Sequence, residues 1–379
     1  MQYLPIENVI DKLIDYRGKT PKKTDHGVRL ITAKVIKKGS ITNKSHEFIA
    51  EEDYDSWMRR GLPQMGDVLV TTEAPLGEVA QLRTNEKIAL AQRVILLRAK
   101  RDTLDQNYLL YAMQSDYVQA GLNARATGTT VAGIKQSELR QVLLPIPELK
   151  DQKTIAEILS AYDTLIQNNS RRIAILEEMA QSLYQEWFVK FRFPGHQNTK
   201  LKESSLGLIP EGWEVSDLDE FIDFWNGKKC TKSESGEFPI YGANGIIGMS
   251  DEPKYENGII IGRVGAYCGA VEYCFNKFWG SDNTIIAKCK SEENLSYLFL
   301  LLKTFNLNNF AGGAAQPLLT QATLKKLSFV LPSLDAIEKF DAIVLTAFRG
   351  IDGLVKKNKN LKQQRDLLLP KLISGKIQL

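Results

Sequence analysis

The chain has 379 residues, enough for two or three domains with real cores, and its 43% hydrophobic and 25% charged content excludes disordered, collagen-like and mucin-like classes. Its net charge of +4 is unevenly spread: residues 1–150 hold 22 Lys/Arg against 18 Asp/Glu, and residues 205–335 hold 11 against 16. A polyanion partner is compatible with the first region; the second requires a local basic patch or a basic partner protein.

The segment from Met1 to Ile10 lacks the basic start and apolar run of a secretion signal, and the most apolar window, Tyr297 to Leu302, is too short to span a bilayer. A soluble, cytoplasmic protein with no membrane partner is expected. Turn-then-strand patterns follow, at Gly66-Asp67-Val68-Leu69-Val70 and Gly77-Glu78-Val79-Ala80, and then a short helix over Asn107–Gln114. A small-residue loop, Thr127-Gly128-Thr129-Thr130, leads through a polar turn to a strand ending in Leu144-Pro145-Ile146-Pro147. Next comes a helix from about Asp151 to Val189, and then a stretch, Gly195 to Glu211, that reads as a linker.

The same order then recurs. Asn257-Gly258-Ile259-Ile260-Ile261 echoes Gly66 to Val70, Gly269-Ala270-Val271-Glu272 echoes Gly77 to Ala80, and Leu295–Lys303 is again a short helix. Near the starts, Asp15-Tyr16-Arg17-Gly18-Lys19 aligns loosely with Phe224-Trp225-Asn226-Gly227-Lys228. The match is tightest over Ala126–Leu159 and Ala311–Val344, at an offset of 185 residues. Gly312-Gly313-Ala314-Ala315 stands for the first loop and Phe329-Val330-Leu331-Pro332 for the strand. A second long helix is expected from about Asp335 to Leu369, stopping at Pro370. The glycines Gly128, Gly312 and Gly313 serve either positive-φ turns or close approach to a ligand.

Both helices carry seven-residue apolar series, the spacing of a paired-helix seam. On the first these are Ile155, Tyr162, Leu176 and Leu183, beside Leu159, Ile166, Ile173 and Trp187. On the second they are Phe340, Leu354, Leu361 and Leu368, beside Val344 and Ile351. Asn169, Asn358 and Arg365 interrupt the series, and polar seam residues fix register. The simplest arrangement is that the two helices pack on each other, with packing of each on its own domain as the alternative. The aromatics Trp187, Phe188, Phe191 and Phe193 form either a partner surface or a cap on a domain core.

The fold expected is α+β: two similar globular domains of mixed sheet and helix, separated by two long antiparallel helices, with a pseudo-twofold internal repeat. The boundaries read as 1–150, 151–194 for the first helix, 195–334 and 335–379 for the second helix and tail. About 38 helical residues span roughly 57 Å at ~1.5 Å each.

No catalytic signature emerges. There is no GxGxxG, no GKS or GKT phosphate loop, no HExxH and no Asn-Pro-Pro-aromatic tetrapeptide. Asp335 and Glu338-Lys339 resemble part of a nuclease set, but acids opening a helix explain them better. Cys230, Cys268, Cys274 and Cys289 form no CxxC pair, and His26, His46 and His196 are scattered, so neither a disulfide scaffold nor a metal site is expected.

The order and spacing of these segments resemble the DNA-specificity (S) subunit of type I restriction–modification systems, over essentially the whole chain. The resemblance rests on Gly128-Thr129-Thr130 with Ile134, the Leu144 to Pro147 strand, and Gln152 to Ile158 entering the helix. Glu186-Trp187-Phe188-Val189-Lys190-Phe191-Arg192-Phe193 and Leu369-Pro370-Lys371-Leu372-Ile373-Ser374-Gly375-Lys376-Ile377 close the two halves in the family manner. It implies a non-catalytic subunit whose two target-recognition domains each read one half of a bipartite double-stranded DNA site. The helices would act as a coiled-coil spacer docking two modification (M) subunits, with restriction (R) subunits completing the complex. It implies adenine methylation only in complex, with S-adenosylmethionine used by M, ATP and Mg by R, and no cofactor on this chain. A stand-alone DNA-binding or scaffold protein of the same fold is the alternative.

Base edges are read by Arg, Lys, Asn and Gln, and phosphates by hydroxyls and amides, usually from loops on rigid strands. The first-domain candidates are Arg17, Lys19, Thr20, Lys22, Lys23, Lys34, Lys37, Lys38, Thr71, Thr72, Arg93, Arg125, Thr127, Thr129, Thr130, Lys135 and Gln136. Those of the second are Lys228, Lys229, Tyr241, Asn244, Arg263, Tyr267, Ser281, Asn283, Gln316 and Gln321. Surface lysines are usually only solvated, so the loops shared by both halves weigh more: Arg125, Lys135, Arg263 and Asn283.

Overall fold

The computed structural model describes the chain apart from residues 17–19, 43–45, 129, 291–293, 314–315 and 378. Two compact units emerge. One comprises Met1–Asn168 with Lys357–Leu379, the other Asn169–Lys356. Each holds a globular part and a piece of both long helices, Leu149–Tyr184 and Leu334–Ile373.

The first unit is built on an antiparallel sheet in the order Ile10–Asp15, Val94–Ala99, Val68–Thr72, Leu76–Gln81. Strand side chains alternate between faces, and here both faces are buried. Val68 and Val70 pack with Leu109 and Met113 of the Gln106–Gln114 helix. Leu69, between them, packs with Leu30 and Ile31 from a three-stranded sheet on the other side. That explains why Val68 to Val70 is a continuous apolar run. The carboxylate of Asp105 caps the helix, accepting from the Asn107 and Tyr108 amides.

The second unit repeats the plan. Its six-stranded sheet begins Ile222–Asn226, Thr284–Cys289, Tyr255–Gly262, Val271–Gly280, and continues with Phe238–Gly242 and Gly245–Ser250. Ile259 and Ile261 face the Leu295–Thr304 helix cluster, while Ile260 faces a smaller one with Phe278 and Ile286. The register of the middle strands agrees with the sequence alignment: Val70 is opposite Ile95 and Val79, and Ile261 is opposite Ile285 and Val271.

Three expectations are corrected. The first-strand alignment slips by two residues, because Ile95 pairs with Asp15 while its counterpart Ile285 pairs with Asn226. Gly227 is there for packing, since a Cβ on it would come within 1.9 Å of the Ser281 carbonyl oxygen. The linker stretch contains a hairpin, Leu201–Ser204 paired with Gly207–Pro210, and its turn glycine, Gly207, takes φ +98°. The second helix continues through Pro370 to Ile373. A proline removes one N–H bond and crowds the carbonyl four residues before it, and here the last turn continues past it: Leu372 and Ile373 are buried, and the Ser374 amide donates to the Pro370 carbonyl.

The helix pieces are paired within each unit. In the first, Asn358 Nδ2 donates to the Ile166 carbonyl at 3.3 Å and Arg365 meets Asp163, so the segments run antiparallel. In the second, Gly350 lies over Leu176 and Phe340 against Tyr184, again antiparallel. The helices also pack on the globular parts. Ile155 and Leu159 join the first-unit core with Leu372, and Phe340, Val344 and Ile351 join the second. Both seam packing and domain packing are therefore present.

Among the other seam positions, Tyr162, Leu354 and Leu361 are half-buried, and Leu368 packs on the first-unit cluster. Ile173, Leu176, Leu183 and Trp187 pack in the second-unit cluster. Trp187 and Phe188 are buried, and Phe191 and Phe193 lie against Trp213 at 5.6 and 4.9 Å. Those aromatics form a domain core.

Candidate nucleic-acid interface

One backbone frame appears in both units. In the first, the Thr72 amide donates to the Arg93 carbonyl and the Thr72 carbonyl accepts from the Ile134 amide, at 3.0 and 2.9 Å. In the second, the Arg263 amide donates to the Asn283 carbonyl and the Arg263 carbonyl accepts from the Leu319 amide, both at 2.9 Å. A small loop closes each frame, by paired bonds between Thr127 and Gly133 and between Gly312 and Leu318. Gly128 and Gly313 hold φ +112° and +94° in these loops, and a Cβ on either would come within 2.6 Å of a backbone oxygen. Their role is conformational. Gly312 has no such φ.

This frame aligns residues across the units. Thr72 stands where Arg263 does, Arg93 where Asn283 does, and Glu73 where Val264 does; Glu73 bridges to Gly133 and Val264 to Leu318. In the first unit the frame surrounds a cleft of about 350 Å³ lined by Thr72, Glu73, Gln92, Arg93, Thr127, Val131, Gly133, Ile134 and Lys135. Thus the structure gathers Thr72, Arg93, Thr127 and Lys135, which the sequence singled out separately. Gln136 follows at the start of the Gln136–Arg140 helix, and Thr130 is exposed on the loop. Thr20 joins the rim, its hydroxyl donating to Gln92 Oε1 at 3.2 Å.

Several candidates already have partners. Arg93 Nε pairs with Glu73 at 2.6 Å and Arg125 with Glu138 at 3.0 Å, all half-exposed. Lys23 and Lys34 converge on Glu47 at 2.7 and 3.5 Å, and hydrogen bonding to Lys23 holds its carboxyl below the usual range. Lys22, Lys37 and Lys38 are exposed. Thr71 and Thr72 are buried, so Thr72 acts through its backbone; Thr71 Oγ1 donates to the Pro75 carbonyl. Arg17, Lys19 and Thr129, with Ala314 and Ala315, lie outside the described residues.

In the second unit Lys228, Lys229, Asn244, Tyr267, Asn283 and Gln316 are exposed. Ser281 is buried, and its hydroxyl accepts from the Asn283 amide at 3.3 Å, holding that turn. The Tyr241 ring packs on Phe278, and burial pushes its hydroxyl pKa up. Gln321 is tied to the first strand: in the amide orientation that satisfies both ends, its nitrogen donates to the Phe224 carbonyl at 3.0 Å and its oxygen accepts from the Asn226 amide at 2.9 Å. Tyr241, Ser281 and Gln321 are positioned to build the loops rather than project from them.

Sequence reasoning missed Glu73, Gln92 and Glu138. Cation and amide patterns do not point to carboxylates, yet a carboxylate also accepts from base amino groups. Among the described residues no cluster of His, Cys, Asp and Glu is placed to hold a metal ion, and no helix is long and apolar enough to cross a membrane. Asp335 and Lys339 form an i,i+4 ion pair at 2.7 Å, an ordinary helix-start contact.

Two domains of one plan, each presenting basic and amide side chains on strand-end loops and each clasped by two long helices, define a duplicated DNA-reading protein. The chain belongs to the type I restriction modification DNA specificity domain family, whose profile matches residues 13–178 and 210–363. It is the DNA specificity subunit of a type I restriction–modification system, a component that is not catalytic.

Among similar proteins are the type I restriction enzyme MjaIX specificity subunit of Methanocaldococcus jannaschii, 24% identical over 83% of this chain and 78% of that protein, and the EcoprrI specificity subunit of Escherichia coli, 25% identical over 73% and 71%. The crystal structure of a type I S subunit from M. genitalium shares the fold, with a TM-score of 0.66 at 19% identity over 98% of this chain and 95% of that one.

Proposed function

We propose that residues 1–150 and 195–334 each read one half of a bipartite duplex DNA site, and that the helices over 151–194 and 335–379 set the spacer and dock two modification subunits. Restriction subunits complete the assembly. S-adenosylmethionine belongs to the modification subunit, ATP and Mg to the restriction subunit, and this chain carries no cofactor. The observation behind this reading is the shared backbone frame: the same hydrogen bonds hold different side chains in the two units. A common frame with divergent loops suits two different half-sites. The DNA-contacting residues proposed are those on the frame and its rim, led by Arg93, Lys135, Arg263 and Asn283, while buried Thr72 and Ser281 and half-buried Gln321 support them.

The test is a change of spacer. Adding or removing one turn in both helices at matched positions, followed by mapping of methylated adenines in host DNA, is expected to change the gap between the half-sites and leave their bases alone. Changed bases with an unchanged gap would refute the assignment of reader and ruler.

A further inference from the structure

The frame compares two residue pairs at one station. Glu73 and Arg93 occupy it in the first unit, Val264 and Asn283 in the second. The two pairs differ in chemistry in a way that matches the two kinds of base pair.

In the major groove a G·C pair presents the guanine N7 and O6 acceptors next to the cytosine N4 donor. Arg93 and Glu73 present a fork of donors next to a carboxylate acceptor, 2.6 Å apart at Nε and Oε1. Guanine O6 and cytosine N4 lie side by side on the base-pair edge, acceptor beside donor, as the guanidinium and carboxylate lie side by side on the protein. Ion pairing through Nε engages the side of the guanidinium. The end-on edge, Nη1 and Nη2, is the one that meets N7 and O6 bidentately. Both side chains line the open cleft and are nearly half exposed.

An A·T pair presents the adenine N7 acceptor and N6 donor, then the thymine methyl. Asn283, exposed on its turn, has an amide that satisfies N7 and N6 together, and the partly exposed Val264 supplies an apolar face for a methyl. Neither Val264 nor Asn283 carries charge, which fits the acidic balance of residues 205–335.

We infer that this shared station is a specificity-determining position in both domains, with Glu73 and Arg93 reading a G·C pair in the first half-site and Val264 and Asn283 reading an A·T pair in the second. The inference rests on the reading that each domain contacts one half-site. It adds the residues and the bases.

The test uses the chain with its modification subunit, expressed in a host lacking other adenine methyltransferases, with methylated adenines mapped genome-wide. Arg93→Lys keeps the charge and the ion pair but loses the fork. It is expected to cut preference at one G·C position of one half-site by about 10- to 100-fold, with the other half-site and the spacer unchanged. The double change Glu73→Val with Arg93→Asn is expected to convert that position to A·T, and Val264→Glu with Asn283→Arg to convert one position of the other half-site to G·C.

A wild-type methylation pattern in Arg93→Lys overturns the inference, as does equal weakening on all sequences, which marks a phosphate contact. If the double variants fail to fold, Arg93→Lys alone decides. Replacing residues 1–150 with the corresponding domain of a relative separates the two levels. A changed half-site with no effect of Arg93→Lys sinks only this station; an unchanged half-site sinks the domain reading itself.

Discussion

Arg365 Nη1 lies 2.5 Å from Asp163 Oδ1 on the facing helix, with the two side chains only 13% and 15% exposed. Tyr111 from the globular part donates to the other Asp163 oxygen at 2.7 Å. The repeat offset of 185 residues places Phe348 and Ala180 at the same station in the second unit, where Phe348 stacks on Tyr273 at 4.9 Å. Likewise, Ile166 and Asn358 in the first unit correspond to Ile351 and Ile173 in the second, both in an apolar cluster. One unit holds its helices with polar register contacts, the other with aromatic and aliphatic packing.

That difference can be measured. Removing one partner of a buried ion pair leaves an uncompensated charge, at a cost of about 3–5 kcal/mol. Arg365→Leu alone is therefore expected to destabilise strongly. The apolar set Y111F/D163L/R365L is expected to recover most of that loss, because no buried charge or hydroxyl is left without a partner; Asp366, which also pairs with Arg365, is exposed and solvated. Denaturant unfolding compares them; a triple variant no more stable than Arg365→Leu would show that the ion pair itself carries the stability.

In the second unit Phe340 is fully buried, with its ring 4.9 Å from Phe188 and 5.8 Å from Trp187. Phe340→Ala is expected to cost about 3–5 kcal/mol, from lost transfer energy and a residual cavity. Thermal unfolding followed by tryptophan emission reports it directly, since Trp187 is a neighbour. A loss under about 1 kcal/mol would mean that the aromatic cluster closes over the gap.

Two glycines are expected to lose stability on the same change for different reasons. A Cβ on Gly227 would meet the carbonyl oxygens of Ser281 and Gly280 at 1.9 and 2.7 Å and Thr284 Oγ1 at 2.5 Å. These are mostly backbone atoms, so Gly227→Ala should cost well above 1 kcal/mol through overpacking and disturb the Ser281 turn. Gly245 has φ +80° but nothing within 4 Å. Gly245→Ala should cost only the left-handed penalty, about 1–2 kcal/mol. Melting curves of both variants decide whether close approach outweighs backbone conformation here.

Burial pushes the Cys289 thiol up to about 12, with Asp341 adding to the shift, and burial also raises Cys268 and Cys274. At pH 8 about one Cys289 in ten thousand is thiolate, the reactive form. Alkylation of the native protein at pH 8, read by peptide mass mapping, should leave Cys289 unmodified; in urea it should react fully. Rapid native alkylation would show that the Thr284–Cys289 strand end opens readily.

The fold was largely legible where repetition and periodicity carried it. Val68 to Val70 and Ile259 to Ile261 are legible as strands, and the offset of 185 residues survives as paired loops and helices. What escaped depends on hydrogen-bond register rather than residue type. Asp15 and Asn226 share a position only because Ile95 and Ile285 do. The hairpin over Leu201–Pro210 needs a turn that composition alone renders as linker. The site was legible as a set of loops but not as a set of pairs. Nothing in the sequence says that Glu73 reaches Arg93, twenty residues away, or that Gln321 folds back on Phe224 rather than outward.

Lys135 separates positioning from reading. It is exposed at the rim of the first-unit cleft, one residue after the frame residue Ile134. A lysine is a compact point charge suited to phosphate, and each phosphate it neutralises releases counterion, adding about 0.9 to the salt slope of binding. Lys135→Ala is therefore expected to weaken binding of the complex with its modification subunit uniformly across duplex sequences, and to reduce the slope of log K against log salt by about 1. Titrations of one methylated-site duplex and one unrelated duplex, across a range of salt, measure both quantities. Loss confined to the specific duplex, with an unchanged slope, would place Lys135 among the base readers. In that case Lys135 would share the reading with Arg93 and Glu73, which line the same cleft.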